Sequence, residues 1–432
     1  MPSWTGYERS RERFGRVVDG DGVHLILEDG RRVIDGTNTG APLGHRHPEI
    51  VDAMQQAVRA PIVHEAWNWI DRDEAVEDIA EIAFGGEREW LGGVRFCLSG
   101  SEANDLALSL AQAITGRQAL ATRERAYHGG VGLSRDVTVQ PQWHGGLSWE
   151  RGGIDPAPRT VPVVRLPAPG GERIGPVPSG PQRDARALDD AAGDLNAVAA
   201  AIVDYTQGAV YDSAAYQDRL ADIARGAGAL WIADEVVTGF GRTGRWFSFQ
   251  VGAERPDIVT LGKGIGAGAA PAGAVAISRS LAQRIEGSTW QTAGTFRGHP
   301  LTVAAIRAHL RVLRRDRLVD RAATLDHTMF RLLSELASSH PSIRRIDGRG
   351  LHWSIELHGT DWRTWRGDTS GEPLATRVSA RALEHGALIQ TSGEDGMLVL
   401  APPLISTEHD LEHLIEAVHH GLALADAEHG AG

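Results

Sequence analysis

Short apolar runs alternate with amphipathic stretches through most of this chain. "VHLILEDGRRVID" (23–35) carries two short runs on either side of Asp29 and Gly30, which predicts a β-hairpin. From about Pro48 to Ala83 the period becomes helical, with Ile50, Met54 and Val58 four apart, then Ile79 and Ala83. Further on, "VRFCLS" (94–99) precedes the helix-like "EANDLALSLAQAITG", and "AAIVDYT" (200–206) precedes "AAYQDRLADIARGAG". "ALWIADEVV" (229–237) and "DIVTLGKG" (257–264) follow as further strands. This alternation predicts an α/β fold with a mainly parallel sheet covered by helices on both faces.

Two regions depart from that rhythm. Residues 141–186 are loaded with Pro and Gly, lack a period, and read as a long surface excursion near the active region. After about residue 305 come arginine-rich helix, a strand-like "LHWSIELH", a helix at 374–386 and a closing helix from Glu408. The predicted division is an N-terminal segment, 1–48, joining a small domain; a large domain, 49–308; and a smaller α+β domain, 309–432. A length of 432 residues exceeds the usual single core, in keeping with two domains. No internal repeat is visible.

Composition narrows the function. With 42% hydrophobic and 23% charged residues the chain is globular. A net charge of −12 argues against nucleic acid or an anionic membrane as main partner. The one cysteine, Cys97, excludes internal disulfides and a Cys-rich zinc site, so no metal is expected and a reducing compartment fits. The charged start "MPSWTGYERSRERFGRVV" and the lack of any apolar run of about 18 residues predict a cytoplasmic protein.

One side chain is singular. Lys263, in "VTLGKGIGAG", is the only lysine, so the other 43 of the 44 Lys and Arg residues are arginines. A guanidinium stays protonated, whereas a desolvated lysine amine can lose its proton and become a nucleophile. A lone lysine also survives by chance in an arginine-biased chain; its position adds weight. It ends an apolar run, where ligands of open α/β sheets bind, and glycines beside it permit close approach. "GIGAGA" leads into "APAGAVAIS", which starts no helix, and no Ser or Thr follows Lys263. That argues against a dinucleotide loop, and a P-loop fails as well.

Four other stretches supply complementary chemistry. Asp234 ends "ALWIAD"; such an Asp commonly caps the next turn, yet "DEVVTGFGRTG" continues as a wall suited to a planar ligand. In "FCLSGSEANDLALSL" a strand ends at Ser99, Gly100 and Ser101 turn, and a helix begins near Glu102. Its free N–H groups suit a phosphate, an ordinary serine cap being the plain alternative. "AYHGG" (126–130) sets an aromatic beside glycines, able to stack on a flat heterocycle. Thr295, in "GTFRGHPLTVAA", precedes a proline-initiated helix and offers a hydroxyl to an anion. An amine for a Schiff base, a carboxylate for a ring nitrogen, a phosphate cradle and an aromatic lid are what pyridoxal phosphate requires.

The ordered motifs "LGHRHPEIVDAM", "SGSEANDLAL", "YHGG", "DEVVTGFGRTG", "LGKGIGAGAAPAG" and "GTFRGHPL" resemble those of the class III aminotransferases, pyridoxal-phosphate enzymes of fold type I, over about residues 20–410. The resemblance implies a large domain with a mainly parallel seven-stranded sheet and a smaller α+β domain. It implies Lys263 as the Schiff-base lysine and the general base and acid, with Asp234 holding the ring nitrogen protonated. Gly100 and Ser101 would take the phosphate; Tyr127 and Val236 would cover the two ring faces, with His128 nearby. Thr295 would reach the phosphate of the partner in a homodimer whose active site lies at the interface.

The implied reaction moves an amino group between an amino donor and a keto acid or aldehyde acceptor. A racemase or epimerase, an aminomutase, and a decarboxylase or oxidase begin on the same cofactor and stay open as alternatives. Retention of Lys263 argues against a non-catalytic scaffold, and the missing glycine fingerprint against a nicotinamide oxidoreductase. The chain also departs from the family. Asp204 and Tyr205 stand where the family often has Glu-Pro, before a shortened loop, and "MLVLAPPLISTEHDL" offers no arginine for a substrate carboxylate. Trp67, in "HEAWNW", is a candidate pocket wall or an interdomain tryptophan; Arg242 is a candidate substrate or structural residue; Trp143 and Trp149 are candidate roof residues.

Overall fold

All residues of the strands Val198–Asp204, Leu230–Asp234 and Ile258–Leu261 are buried. Continuous apolar strands of this kind need cover on both faces. The computed structural model describes residues 15–430 except 145, 149–153, 172, 175–179, 207–209, 362–371, 393 and 395. In it these three strands form the centre of a seven-stranded sheet. The order across the sheet is Leu91–Cys97, Gly273–Ser278, Ile258–Leu261, Leu230–Asp234, Val198–Asp204, Ala119–Arg123 and Val163–Leu166. Gly273–Ser278 runs antiparallel to both neighbours, and the remaining pairs are parallel.

Strand alternation decides what each face carries. Ile232 and Ile258 pack beneath the helix Gly100–Thr115 with its Ala103, Leu106 and Leu110. Trp231, Ala233, Val259 and Leu261 enter the core on the other side, with Val303, Ile306 and Leu310 of the helix Pro300–Arg315. The register aligns Asp204, Asp234 and Thr260 across three adjacent strands at their carboxyl ends.

Towards the N-terminus, Val17–Asp21, His24–Leu27 and Arg32–Asp35 pair antiparallel, with the expected turn at Asp29 and Gly30. Arg32–Asp35 then pairs parallel with Ala387–Leu388, far along the chain. A second antiparallel sheet joins Ile343–Arg349, His352–Leu357, Met397–Leu400 and Gln390–Thr391. Helices Leu374–Glu384 and Glu408–His429 bury Val378, Ala382, Leu411, Leu414 and Val418 in the main core.

The structure corrects the sequence reading in two places. The helical period from Pro48 to Ala83 is two helices, Pro48–Ala57 and Ile70–Asp78, the second running into a π-turn, Ile79–Ala83. Pro61 lies in the irregular stretch between them, where a prolyl ring and missing N–H would break a helix. The excursion 141–186 is not all loop: it includes the edge strand Val163–Leu166 and the start of the helix Pro181–Ala191. Trp149 lies outside the described residues. Among the described residues, no helix is long and apolar enough to cross a membrane.

Candidate active site

Parity puts Asp234 and Thr260 on the same face as Ile232 and Ile258, under the first turns of the helix Gly100–Thr115. There Asn104, 1% exposed, donates to Asp234 Oδ2 at 2.8 Å and accepts a hydrogen bond from the Thr260 hydroxyl. His128 Nδ1 donates to the same Oδ2 at 2.7 Å, and its Nε2 lies 3.0 Å from Thr122 Oγ1. The Val236 amide donates to Asp234 Oδ1 at 3.0 Å. Three donors therefore fix the plane of one buried carboxylate, and bonds to an ionised acceptor are the stronger kind.

Lys263 follows Ile258–Leu261 by two residues and opens a short 3₁₀ turn, Lys263–Gly266. Its φ is +41°, in the left-handed region that costs an ordinary residue about 1–2 kcal/mol. The turn fits because its neighbours lack side chains. A Cβ on Gly262 would lie 3.0 Å from the Gly100 Cα, and a Cβ on Gly100 would lie 2.5 Å from Val236 Cγ1. The lysine turn, the helix start and Val236 are thus in direct contact. The Lys263 side chain is open to a cavity yet densely surrounded by protein. Desolvation lowers its amine pKa, against the opposing pull of Asp234 and then Asp204.

That cavity holds about 260 Å³ and is lined by Lys263, Tyr127, Trp143, His352, Gln390 and Ser392, among others. A second hollow of about 400 Å³ meets Lys263 from the side of Asp35, Asn38 and His45. Tyr127 stands edge-on to Trp143 with ring centroids 5.8 Å apart, and burial raises its phenol pKa. The Tyr127 amide donates to Asp204 Oδ2 at 3.0 Å. Asp204 is itself gripped by Arg123, whose Nε donates to the Asp204 carbonyl at 3.0 Å and whose NH2 donates to Oδ1 at 2.6 Å. The aspartate of the Asp-Tyr departure, Asp204, is therefore half of a buried ion pair with Arg123 and accepts from the Tyr127 amide.

The helix begins at Gly100 rather than near Glu102, because Ser99 caps it by accepting from the Glu102 amide. Gly100 and Ser101 thus supply first-turn N–H groups, which have no partner inside a helix. Other candidates lie elsewhere in this chain. Thr295 is exposed in the turn before Pro300–Arg315 and does not line either hollow. Trp67 is 71% exposed, neither a wall of the cavity nor packed between domains. Arg242 is 2% exposed and bonds the carbonyls of Leu351, at 3.1 Å, and Pro402. Burial lowers its pKa to about 10, and it lines neither hollow.

Sequence reasoning missed Asn104, Thr122 and Thr260, which orient Asp234 and His128, and Arg123, which holds Asp204. It also missed His352, Gln390 and Ser392 on the opposite wall. Burial pushes the His352 pKa down to about 3, and the Tyr211 hydroxyl meets its Nδ1. Asn104 left a signal: it is a polar side chain within an otherwise apolar helix face, Ala103 to Ala111. Among the described residues, no group of three His, Cys, Asp or Glu side chains is arranged to hold a metal ion.

By its fold the chain stands with the pyridoxal-phosphate enzymes of fold type I. The solved structure of an S-selective transaminase from Arthrobacter sp. with alanine bound matches it with a TM-score of 0.89 and 28% identity, covering 99% of this chain and 96% of that one. An Arthrobacter phospholyase in complex with phosphoethanolamine matches with a TM-score of 0.79 and 27% identity, over 94% of each chain. The sequence narrows the class further. The pattern of the class III aminotransferases matches residues 7–422. Acetylornithine aminotransferase of Mycobacterium bovis is 31% identical over 421 residues, 93% of this chain and 90% of that protein. The chain belongs to the class III aminotransferases and is a pyridoxal-phosphate-dependent transaminase.

Proposed function

We propose that Lys263 and Asp234 are the catalytic pair of this transaminase. The observation that carries the reading is their convergence: a single desolvated primary amine within the electrostatic reach of a carboxylate fixed by three donors. The residues present fit pyridoxal phosphate. Gly100 and Ser101 would hold its phosphate, and Tyr127 and Val236 would flank its ring, with His128 behind Asp234. When bound, the cofactor supplies an aldehyde for amine exchange and a ring that accepts the electron pair left by C–H cleavage.

The protein does the rest. Desolvation favours the neutral amine of Lys263, which makes it both a nucleophile and a base. Held on a short turn beside the helix start, the Lys263 amine would take the proton from the donor's amine-bearing carbon and hold it on Nζ. Asp234 would hold the ring nitrogen, and Asn104 and His128 prevent its rotation. Tyr127 and Trp143 wall the cavity and limit water.

Substrates on this reading are an amino donor and a keto acid or aldehyde acceptor. The protein would work in the cytoplasm as a homodimer, Thr295 of each chain reaching its partner's phosphate. The exposed position of Thr295 supports that role, since it is accessible to a second chain.

Borohydride reduction of the holoenzyme is expected to place the cofactor label on Lys263. Mixing the holoenzyme with an amine donor and no acceptor should yield one equivalent of carbonyl product per site. Catalytic rather than stoichiometric product without acceptor would replace transamination by another outcome. If Lys263→Arg kept the cofactor band and full turnover, the assignment of the lysine would be wrong.

A further inference from the structure

A compact ionic knot lies against the helix start. Arg297, 7% exposed, donates from Nε to Glu102 Oε1 at 2.8 Å. Its NH1 donates to Thr292 Oγ1 at 3.1 Å and lies 3.6 Å from Glu65. Arg95 donates to Glu65 at 3.0 Å and to the carbonyls of Trp290, at 3.1 Å, and Thr292. The other Glu102 oxygen accepts from the Leu98 amide at 2.8 Å. Two arginines therefore offset two glutamates, and both ends of Glu102 are occupied.

The position of Glu102 makes this consequential. It is adjacent to Ser101 in the first helical turn, and Gly100 touches the lysine turn at Gly262. A phosphate bound by the Gly100 amide and, above all, by the Ser101 hydroxyl would place negative charge beside the Glu102 carboxylate. Like charges at a few ångströms in a partly buried site oppose one another strongly. Arg297 is the cation that removes the conflict, and it also ties the loop carrying Thr295 to the helix.

We propose that Arg297 is a positioning residue for the cofactor's phosphate, acting through Glu102. This rests on the reading of Gly100 and Ser101 as the phosphate cradle. Loss of Arg297 leaves the Glu102 carboxylate uncompensated, so affinity falls for the phosphorylated cofactor and not for its unphosphorylated form.

The test is reconstitution of the full-length apoenzyme with pyridoxal phosphate or with pyridoxal, followed by the absorbance of the bound chromophore. In Arg297→Gln the half-saturating concentration of pyridoxal phosphate should rise about tenfold, with that of pyridoxal changed less than about twofold. The double variant Arg297→Gln, Glu102→Gln should recover most of the loss. An equal loss for both cofactor forms, or no recovery in the double variant, would overturn the proposal. Should Arg297→Gln fail to fold, Glu102→Gln alone decides: it must bind pyridoxal phosphate at least as tightly as wild type, and weaker binding overturns the proposal. Ser101→Ala tests the underlying reading: if the preference for the phosphorylated form does not fall, the cradle lies elsewhere and the proposal falls with it. If Ser101→Ala lowers the preference and Arg297→Gln does not, the cradle stands and Arg297 has no part in it.

Discussion

At the scale of residues, the proposed pair of Lys263 and Asp234 depends on small surroundings more than on the pair itself. Asp234→Asn keeps the size of the side chain and removes its charge. We expect kcat to fall by roughly 10²–10³, the usual effect of losing one preorganised electrostatic partner, while the fold remains intact by circular dichroism. A second residue-level prediction concerns acid. Burial pushes the His309 pKa down to about 3, from an ordinary value near 6.5. Below about pH 6.5 the unfolded chain takes up a proton that the native imidazole refuses, so stability is present above that pH and is lost as pH falls towards 3. Between pH 7 and pH 5 this one group removes about 2 kcal/mol. His309→Leu should shrink the difference between urea midpoints at those two pH values. An unchanged difference would show that His309 titrates normally. The strand-end positions of Lys263 and Asp234 were legible in the sequence because each follows an apolar run. Asn104 and Arg123 were not, because their partners lie 130 and 81 residues away.

At the scale of elements, the helix start, the lysine turn and Val236 meet with no room for a side chain on Gly100. Gly100→Ala would drive a methyl into Val236, which a Cβ approaches to 2.5 Å. Overpacking of this sort costs about 1–3 kcal/mol, and we expect a lower thermal midpoint together with weaker cofactor retention. Normal stability and retention would mean that Val236 can move aside. The central strands were readable from apolar runs alone, since burial on both faces leaves no polar alternation. The strands Ala119–Arg123 and Gly273–Ser278 were not. The first ends in Thr122 and Arg123, polar residues whose partners include His128 and Asp204, both distant in sequence or outside the strand. The second is a run of small residues, "GAVAIS", directly after a glycine-rich turn, with no periodic boundary to announce it.

At the scale of the whole molecule, a band of apolar side chains faces outward. Val58, Ile62, Trp67 and Ile70 are 70%, 76%, 71% and 68% exposed, and Phe296 is 56% exposed. Arg72 binds these segments together through the carbonyls of Val63, Trp67 and Gly298. Exposed apolar surface of this extent marks an interaction site. Light scattering should therefore return a mass of about two 46.4 kDa chains. Trp67→Asp should shift the protein towards one chain and reduce activity in parallel. A monomer with full activity would refute the homodimer.

The class of chemistry and the kind of fold could be read along the chain. An amine that only lysine can supply, a strand-end aspartate and a helix opening on glycine and serine are local facts, written in consecutive residues. Tertiary structure alone decided how these act together. Strand parity and register put Asp204, Asp234 and Thr260 in one row, although 56 residues separate the first and last. Packing then brought Asn104 and His128 to one carboxylate oxygen, buried Arg242 away from the cavity, and left Trp67 in solvent. A hydrophobic pattern specifies which face a residue occupies; which distant polar partner satisfies it is set only when the faces meet.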